Sequence, residues 1–468
     1  MNFATPTFLL TFLPGTLLLV AAARRIAGPR AALGALVAAS LVFYALWDVG
    51  ALWVILVSVG SNYALSRLLA RRHETTLLAA AVAANLGYLA WFKYADLLTS
   101  TGSVAAALPL GLSFFTFQQI AYLVDLRARR EVPSGPLDYA AFVTFFPQLV
   151  AGPIVRHGDL VPQLRRLALP GWDDPRLVTA EGFLLLGLFK KTMIADPIGR
   201  AIDPAWADAA AMTAYDAWVA LTGYALQLYF DFSAYCEIAI GAALLFGVRL
   251  PANFDSPYKS RSVREFWRRW HMTLGAFLRD YLYVPLGGSR GGRMRMLAAI
   301  WATMLLAGIW HGAGATFVVW GALHAAYISV ERIWPRGWPR PNASAAAALT
   351  LAAVVIAWLP FRAESLSDAL TVARALIGLG EAHGLPLALA AALGGPASAS
   401  PWFTGIEPAW LLILWAVVLS APNVTEIVDR GTGIAGLRGV AAYPLAYGLA
   451  ACVAVGIGQD ATFLYWRW

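Results

Sequence analysis

Trp310-His-Gly-Ala-Gly314 stands between two strongly apolar stretches, residues 296–310 and 314–333, and its reading decides what kind of molecule this is. Apolar runs of about 17–20 residues have the length of a helix that crosses a bilayer. The first run is barely that long, which sets His311 within the membrane, at the floor of a cavity. An ionisable side chain is expensive there and is kept for chemistry or for pairing. Some forty residues earlier, Phe266-Trp-Arg-Arg-Trp-His271 sets a second histidine in a cationic, aromatic helix start.

The rest of the chain agrees with a membrane reading. Of 468 residues 59% are hydrophobic and only 13% charged, with mean hydropathy +0.63. A soluble domain carries roughly twice that charged fraction. Apolar runs predict spans near 5–22, 31–48, 51–66, 76–95, 108–125, 180–198, 214–247, 296–310, 314–333, 345–361, 408–421 and 440–457. The expected class is therefore an all-α polytopic membrane protein. About 11–12 transmembrane helices make one membrane-embedded domain over residues 1–468. The run 214–247 is too long for one untilted span and reads as a span plus a surface helix. Segments 138–155 and 270–288 are apolar but broken by Pro and Gly. They read as re-entrant or interfacial elements, whose backbone needs protein or water around it. The loop 385–407, rich in Ala, Gly, Ser and Pro, reads as a connector.

The formal charge of +8 does not point to nucleic acid, because its distribution marks topology instead. Arg24, Arg25 and Arg30 follow the first span, Arg67, Arg71 and Arg72 the third, and Arg127, Arg129 and Arg130 the fifth. The alternate connections, at Asp48-Val-Gly50 and residues 99–107, carry no Lys or Arg. By the positive-inside rule the arginine clusters are cytoplasmic and the N-terminus is outside. The first apolar run, residues 8–23, lacks a basic region before it and reads as a span rather than a signal peptide. Two isolated cysteines, Cys236 and Cys452, supply neither a disulfide framework nor zinc spacing, and no metal site is expected.

Drawn as one helix, residues 264–281 place Trp267, Trp270, Leu274, Phe277, Leu278 and Tyr281 on one face. Arg264, Glu265, Arg268, Arg269 and Arg279 fall on the other, with His271 at the seam. Such a helix lies at the inner membrane boundary. Its arginines either hold topology and bind anionic lipid headgroups, or draw a phosphate-bearing substrate to the cytoplasmic mouth.

Of six histidines, His73 and His383 lie in polar or Gly-rich connections and are uninformative. His157, in a turn after Pro153, reads as structural. His324, ten residues into its helix, reads as a cross-helix hydrogen-bond partner. For His311 a satisfied core role and a catalytic one both remain open on the residues alone. A neutral imidazole there is a candidate general base, its unperturbed pKa being about 6.5. The adjoining glycines remove bulk, so that a substrate thioester can approach closely. No Gly-x-Ser-x-Gly elbow, His-Glu-x-x-His or phosphate loop is present.

Many ordered motifs over some 400 positions carry a family likeness. They include Trp91-Phe-Lys-Tyr94, Leu108-Pro-Leu-Gly-Leu-Ser-Phe-Phe-Thr-Phe117 and Phe146-Pro-Gln-Leu-Val-Ala-Gly-Pro-Ile-Val-Arg156. Further on stand Gly187-Leu-Phe-Lys-Lys191, Leu228-Tyr-Phe-Asp-Phe-Ser233, Glu265-Phe-Trp-Arg-Arg-Trp-His271 and Trp320-Gly-Ala-Leu-His324. On these the chain resembles a membrane-bound O-acyltransferase of the bacterial alginate O-acetylation branch. The resemblance implies His311 as the catalytic histidine, acting as general base or briefly carrying the acyl group, and His271 as its associate. It also implies a ring of tilted helices with funnels from both membrane faces. The donor it implies is acetyl-CoA, bound as substrate with no resident cofactor, its phosphates near Arg261, Arg264, Arg268 and Arg269. Trp267, Trp270, Trp310 and Asp231 are the remaining substrate-binding candidates. Implied too are the bacterial inner membrane and an acceptor hydroxyl on an exported polysaccharide or a periplasmic SGNH-type partner enzyme. The chain departs from the branch at Ser233-Ala-Tyr-Cys-Glu237 and Phe277, which bears on fine substrate choice. The rival within the class is D-alanyl transfer from a carrier protein to teichoic acid. The rival outside it, a proton-relaying transporter, predicts paired half-sequences that are not seen.

Overall fold

The computed structural model describes residues 3–99, 109–171, 174–335, 337–380, 400, 402–403, 405–428 and 464. The expected span 440–457, the connector 385–399, His383 and Cys452 lie outside them. Every regular element among the described residues is helical. They form two compact units, one of residues 3–189, 234–253 and those from Val424 on, the other of residues 190–233 and 254–423.

In the first unit α1 (Leu13–Ala27) and α2 (Pro29–Ala45) turn at Gly28, whose φ of +84° favours glycine, with Pro29 opening the next helix. Helices α3 (Leu52–Arg72) and α4 (Thr75–Thr99) are joined by a reciprocal amide pair, Asn62 with Asn85, at 2.9 and 2.7 Å. From α5 (Leu112–Arg127), Gln119 donates to Ser58 at 2.8 Å and accepts from Tyr139 of α6 (Pro136–Thr144) at 3.0 Å. Such bonds join helices where apolar packing alone gives little preference over lipid. The segment 138–155 is broken as expected: Phe145 interrupts α6 before the single turn α7 (Phe146–Leu149), and protein buries all of residues 141–153. Next, α8 (His157–Arg165) starts with His157 bonded through Nδ1 to Glu131 at 3.0 Å, a structural seat as expected. The helix α9 (Pro175–Phe189) completes this part of the unit.

In the second unit stand α10 (Asp196–Ala207) and the first twenty residues of α11 (Ala214–Leu244). The long apolar run is thus one continuous helix and not a span plus a surface helix. Asp216, Gln227, Asp231 and Glu237 are buried along it, so protein surrounds it where lipid was expected. Two short helices, α12 (Val263–Arg269) and α13 (Met272–Leu278), replace the single amphipathic helix expected over 264–281. Trp270 is extended and His271 left-handed, with φ +42°, so the chain breaks between them. The break turns both side chains inward, and both are buried.

Then come α14 (Gly292–His311), α15 (Ala315–Ile333), α16 (Ala343–Arg362) and α17 (Leu366–Leu376). Beyond the undescribed stretch come α18 (Glu407–Ser420) and, in the first unit, α19 (Val424–Val428). Helices α14 and α15 are an antiparallel pair. Ile300 and Ala325 share a core cluster with Met304, Met304 backs Gly321, and Gly308 backs Phe317. A Cβ at Gly308 would collide with the Phe317 carbonyl, and one at Gly321 with the Met304 carbonyl. Among the described residues five helical segments are long and apolar enough to cross a membrane: 7–27, 52–72, 75–94, 292–311 and 343–362. Others on the expected list are shorter, such as α2 and α18, or carry buried polar residues, such as α5 and α11.

Candidate active site

His311 is the last residue of α14, and at Gly312 the chain turns extended before α15 begins. Its ring lies beside Trp310 (centroids 4.7 Å) and edge-on to Trp320 and Phe361 (5.0 Å each), with only 7% of the residue exposed. Three helices supply this wall: Trp310 from α14, Trp320 from α15 and Phe361 from α16. Large rings at right angles exclude water and fix the imidazole plane. Gly312 does not open an approach to the histidine. The Phe317 ring fills the space where its side chain would stand, so this glycine serves packing. Ala313 and Gly314 are exposed beside it.

His324, fully buried, meets Trp320 at 4.9 Å, and its Nδ1 accepts the indole N–H of Trp267 at 3.2 Å. The proton of the neutral ring is thereby assigned to Nε2. Trp267 is committed to this bond across helices α12 and α15. Trp270 is buried among Phe254, Phe266 and Trp358, at 5.0 Å from both Phe254 and Trp358. Both tryptophans, expected to touch substrate, take part in the aromatic wall. Trp358 in turn meets Phe361 at 5.4 Å and Trp320 at 6.1 Å.

His271 precedes α13, and its carbonyl accepts the Gly275 N–H at 2.9 Å. Phe232 stands edge-on to its ring at 4.8 Å. Burial pushes its pKa down to about 3, so the imidazole is neutral at pH 7. A chain of ring contacts through Phe232, Phe254, Trp270, Trp358 and Phe361 runs from His271 to His311.

The four arginines line two cavities that share Arg264. Ser262 caps α12 by accepting the Glu265 N–H at 3.0 Å, while Glu265 accepts the Arg261 N–H at 2.9 Å. Arg264, Arg268 and Arg269 line one cavity of about 500 Å³ with Ser262, Asp255 and Glu265. Arg269 pairs there with Glu265 at 3.0 Å and Asp255 at 3.7 Å. Arg261 and Arg264 line a second cavity of similar size with Arg340.

Asp231 is elsewhere. Lys191 bridges it and Asp196, at 2.7 Å to each, in a buried network that the sequence reading did not foresee. The signal was present: Lys190-Lys191 interrupts an apolar run, and a lysine there requires carboxylate partners. Trp358, Phe361, Arg340 and Glu331 were also missed, because nothing local separates them from ordinary helix residues. Among the described residues no group of three or more His, Cys, Asp or Glu could hold a metal ion.

Helices wrapped around a buried histidine at a glycine-flanked break define a class that sequence comparison identifies. Residues 62–361 match the membrane-bound O-acyltransferase family, and the chain belongs to it. It is 36% identical over 423 residues to the peptidoglycan O-acetyltransferase of Helicobacter pylori, covering 81% of this chain and 80% of that protein. A Pseudomonas aeruginosa protein named probable alginate O-acetylase AlgI is 36% identical over 406 residues, covering 81% and 75%. The teichoic acid D-alanyltransferase of Bacillus subtilis is more distant, at 26% over 230 residues, 46% of this chain and 57% of that protein. The protein is thus a multi-pass membrane O-acyltransferase, with O-acetyltransferases among its relatives.

Proposed function

We propose that the protein moves an acetyl group from a cytoplasmic thioester, acetyl-CoA, to a hydroxyl beyond the bacterial inner membrane. The acceptor is a hydroxyl of an exported polysaccharide or of a periplasmic SGNH-type partner enzyme. The observation that carries this reading is His311, held in a dry aromatic wall at the end of α14, a helix long and apolar enough to cross a membrane, where the chain breaks before α15. His311 accepts the acceptor's proton as that oxygen attacks the thioester carbonyl. The thiolate leaves as the acyl–oxygen bond completes, and it takes the proton from the imidazolium. A positioned base of this kind contributes about 10²–10⁴ in rate.

Arg264, Arg268 and Arg269 meet the donor's phosphates in the cavity beside α12, where guanidinium forks suit phosphate geometry. Arg268 is exposed and in no ion pair among the described residues, so it is the first to engage an anion. His271, the weaker of the two histidine assignments, orients the donor or stabilises the charge that develops on it. Trp310, beside His311, is the tryptophan placed to touch the reacting groups.

The likeness to a teichoic acid D-alanyltransferase favours a second donor, a D-alanyl carrier protein. Protein reconstituted in lipid is offered radiolabelled acetyl-CoA or the radiolabelled D-alanyl carrier thioester. Release of label from acetyl-CoA alone supports acetyl transfer. Release from the carrier alone moves the assignment to D-alanylation.

A further inference from the structure

The second cavity beside α12 is unlike the first. Three arginines, Arg261, Arg264 and Arg340, line it together with an apolar wall that includes Val330, Leu349 and Ala353. It lies where the end of α15 meets the start of α16, a helix long and apolar enough to cross a membrane. Trp334 (36% exposed) lines it, and Trp338 (63%) stands in the same connection. Exposed tryptophans at a helix end mark the depth of the lipid headgroups.

The positive charge in this cavity exceeds the negative, three arginines facing one glutamate. None of the three arginines forms an ion pair among the described residues. Glu331 is the acidic residue in the lining and offsets part of the Arg264 charge, while its carboxylate is also bonded to the backbone. It accepts the backbone N–H groups of Val263 at 2.5 Å and Arg264 at 3.3 Å, which fixes the start of α12. Arg264 is half-buried, and burial with Arg332 and Arg268 nearby presses its pKa below the usual arginine value. An anion set among these groups relieves that repulsion.

We propose that this groove binds an anionic phospholipid, its phosphate held by Arg261 and Arg340, with Arg264 shared between this groove and the donor cavity, and its acyl chains laid along Val330, Leu349 and Ala353. The apolar wall decides between a lipid and a soluble phosphate. Val330 and Leu349 are 51% and 62% exposed beside the arginines, and a free phosphate would leave them bare. A lipid covers both the charge and the apolar surface. It also ties the start of α12 to the bilayer, two turns or less from the Trp267 that bonds His324.

The test uses the whole protein, purified and exchanged into mixed vesicles of phosphatidylcholine and phosphatidylglycerol, then read by native mass spectrometry for retained lipid. The wild type should retain phosphatidylglycerol in preference to phosphatidylcholine. Arg340→Gln should retain it about fivefold less, the contribution of one basic residue at a membrane surface. Leu349→Gln should also weaken retention, and added inorganic phosphate should not displace the lipid. Both positions are exposed, so neither change disturbs the core. Equal retention of the two lipids, or retention unchanged in Arg340→Gln, would overturn the proposal. So would displacement by inorganic phosphate with Leu349→Gln unaffected, which would assign the groove to a soluble phosphate instead.

Discussion

Three histidines sit in aromatic surroundings within the second unit, and their neighbours separate their roles. His324 is tied down by the Trp267 indole, and His271 lies at a left-handed residue against Phe232. His311 ends its helix beside the exposed Ala313 and Gly314. Trp267→Phe removes the donor to His324 and leaves a buried acceptor without its partner, which costs about 1–3 kcal/mol. The expected result is a lower unfolding midpoint in detergent with acetyl transfer reduced and not abolished. An unchanged midpoint would show that the bond carries no weight. The candidacy of His311 was legible because its signal is local, a histidine with glycines where an apolar run ends. Trp358 and Phe361 were not legible, since they reach the site from a helix some fifty residues further along the chain.

At the scale of elements, the α14–α15 pair positions the site. Gly308 and Gly321 let the two backbones meet, and small residues serve this purpose where lipid gives no hydrophobic drive. Gly308→Ala sets a methyl against the Phe317 carbonyl, which cannot swing aside as a side chain would. Overpacking of this kind costs about 1–3 kcal/mol. A measurably lower unfolding midpoint is expected, while Gly34→Ala in α2, with open space around it, should match or exceed the wild type because alanine is the better helix former. Equal midpoints for the two variants would refute the close packing. The sequence pattern misled at α12 and α13, where aromatic periodicity continues smoothly through residues 264–281. Trp270 and His271 are drawn inward by rings from distant segments, and that pull breaks the helix.

For the whole molecule, hydropathy and arginine placement were enough to establish an all-helical membrane protein. They were less able to count the spans. Protein surrounds α5 and α11, and their buried Gln, Asp and Glu residues lower the hydropathy that a lipid-facing helix would show. The sidedness expected from the arginine clusters is testable in intact cells. In a background lacking Cys236 and Cys452, Gly50→Cys should react with a membrane-impermeant maleimide from outside. Arg72→Cys should react only after the membrane is opened. The reverse pattern would invert the proposed topology and place the donor cavity on the wrong face. The central claim is that His311 carries the chemistry. It is tested most directly by label release from radiolabelled acetyl-CoA, comparing wild type with His311→Ala at matched folding. The account predicts turnover in the wild type that vanishes in the variant; equal turnover in both would contradict it.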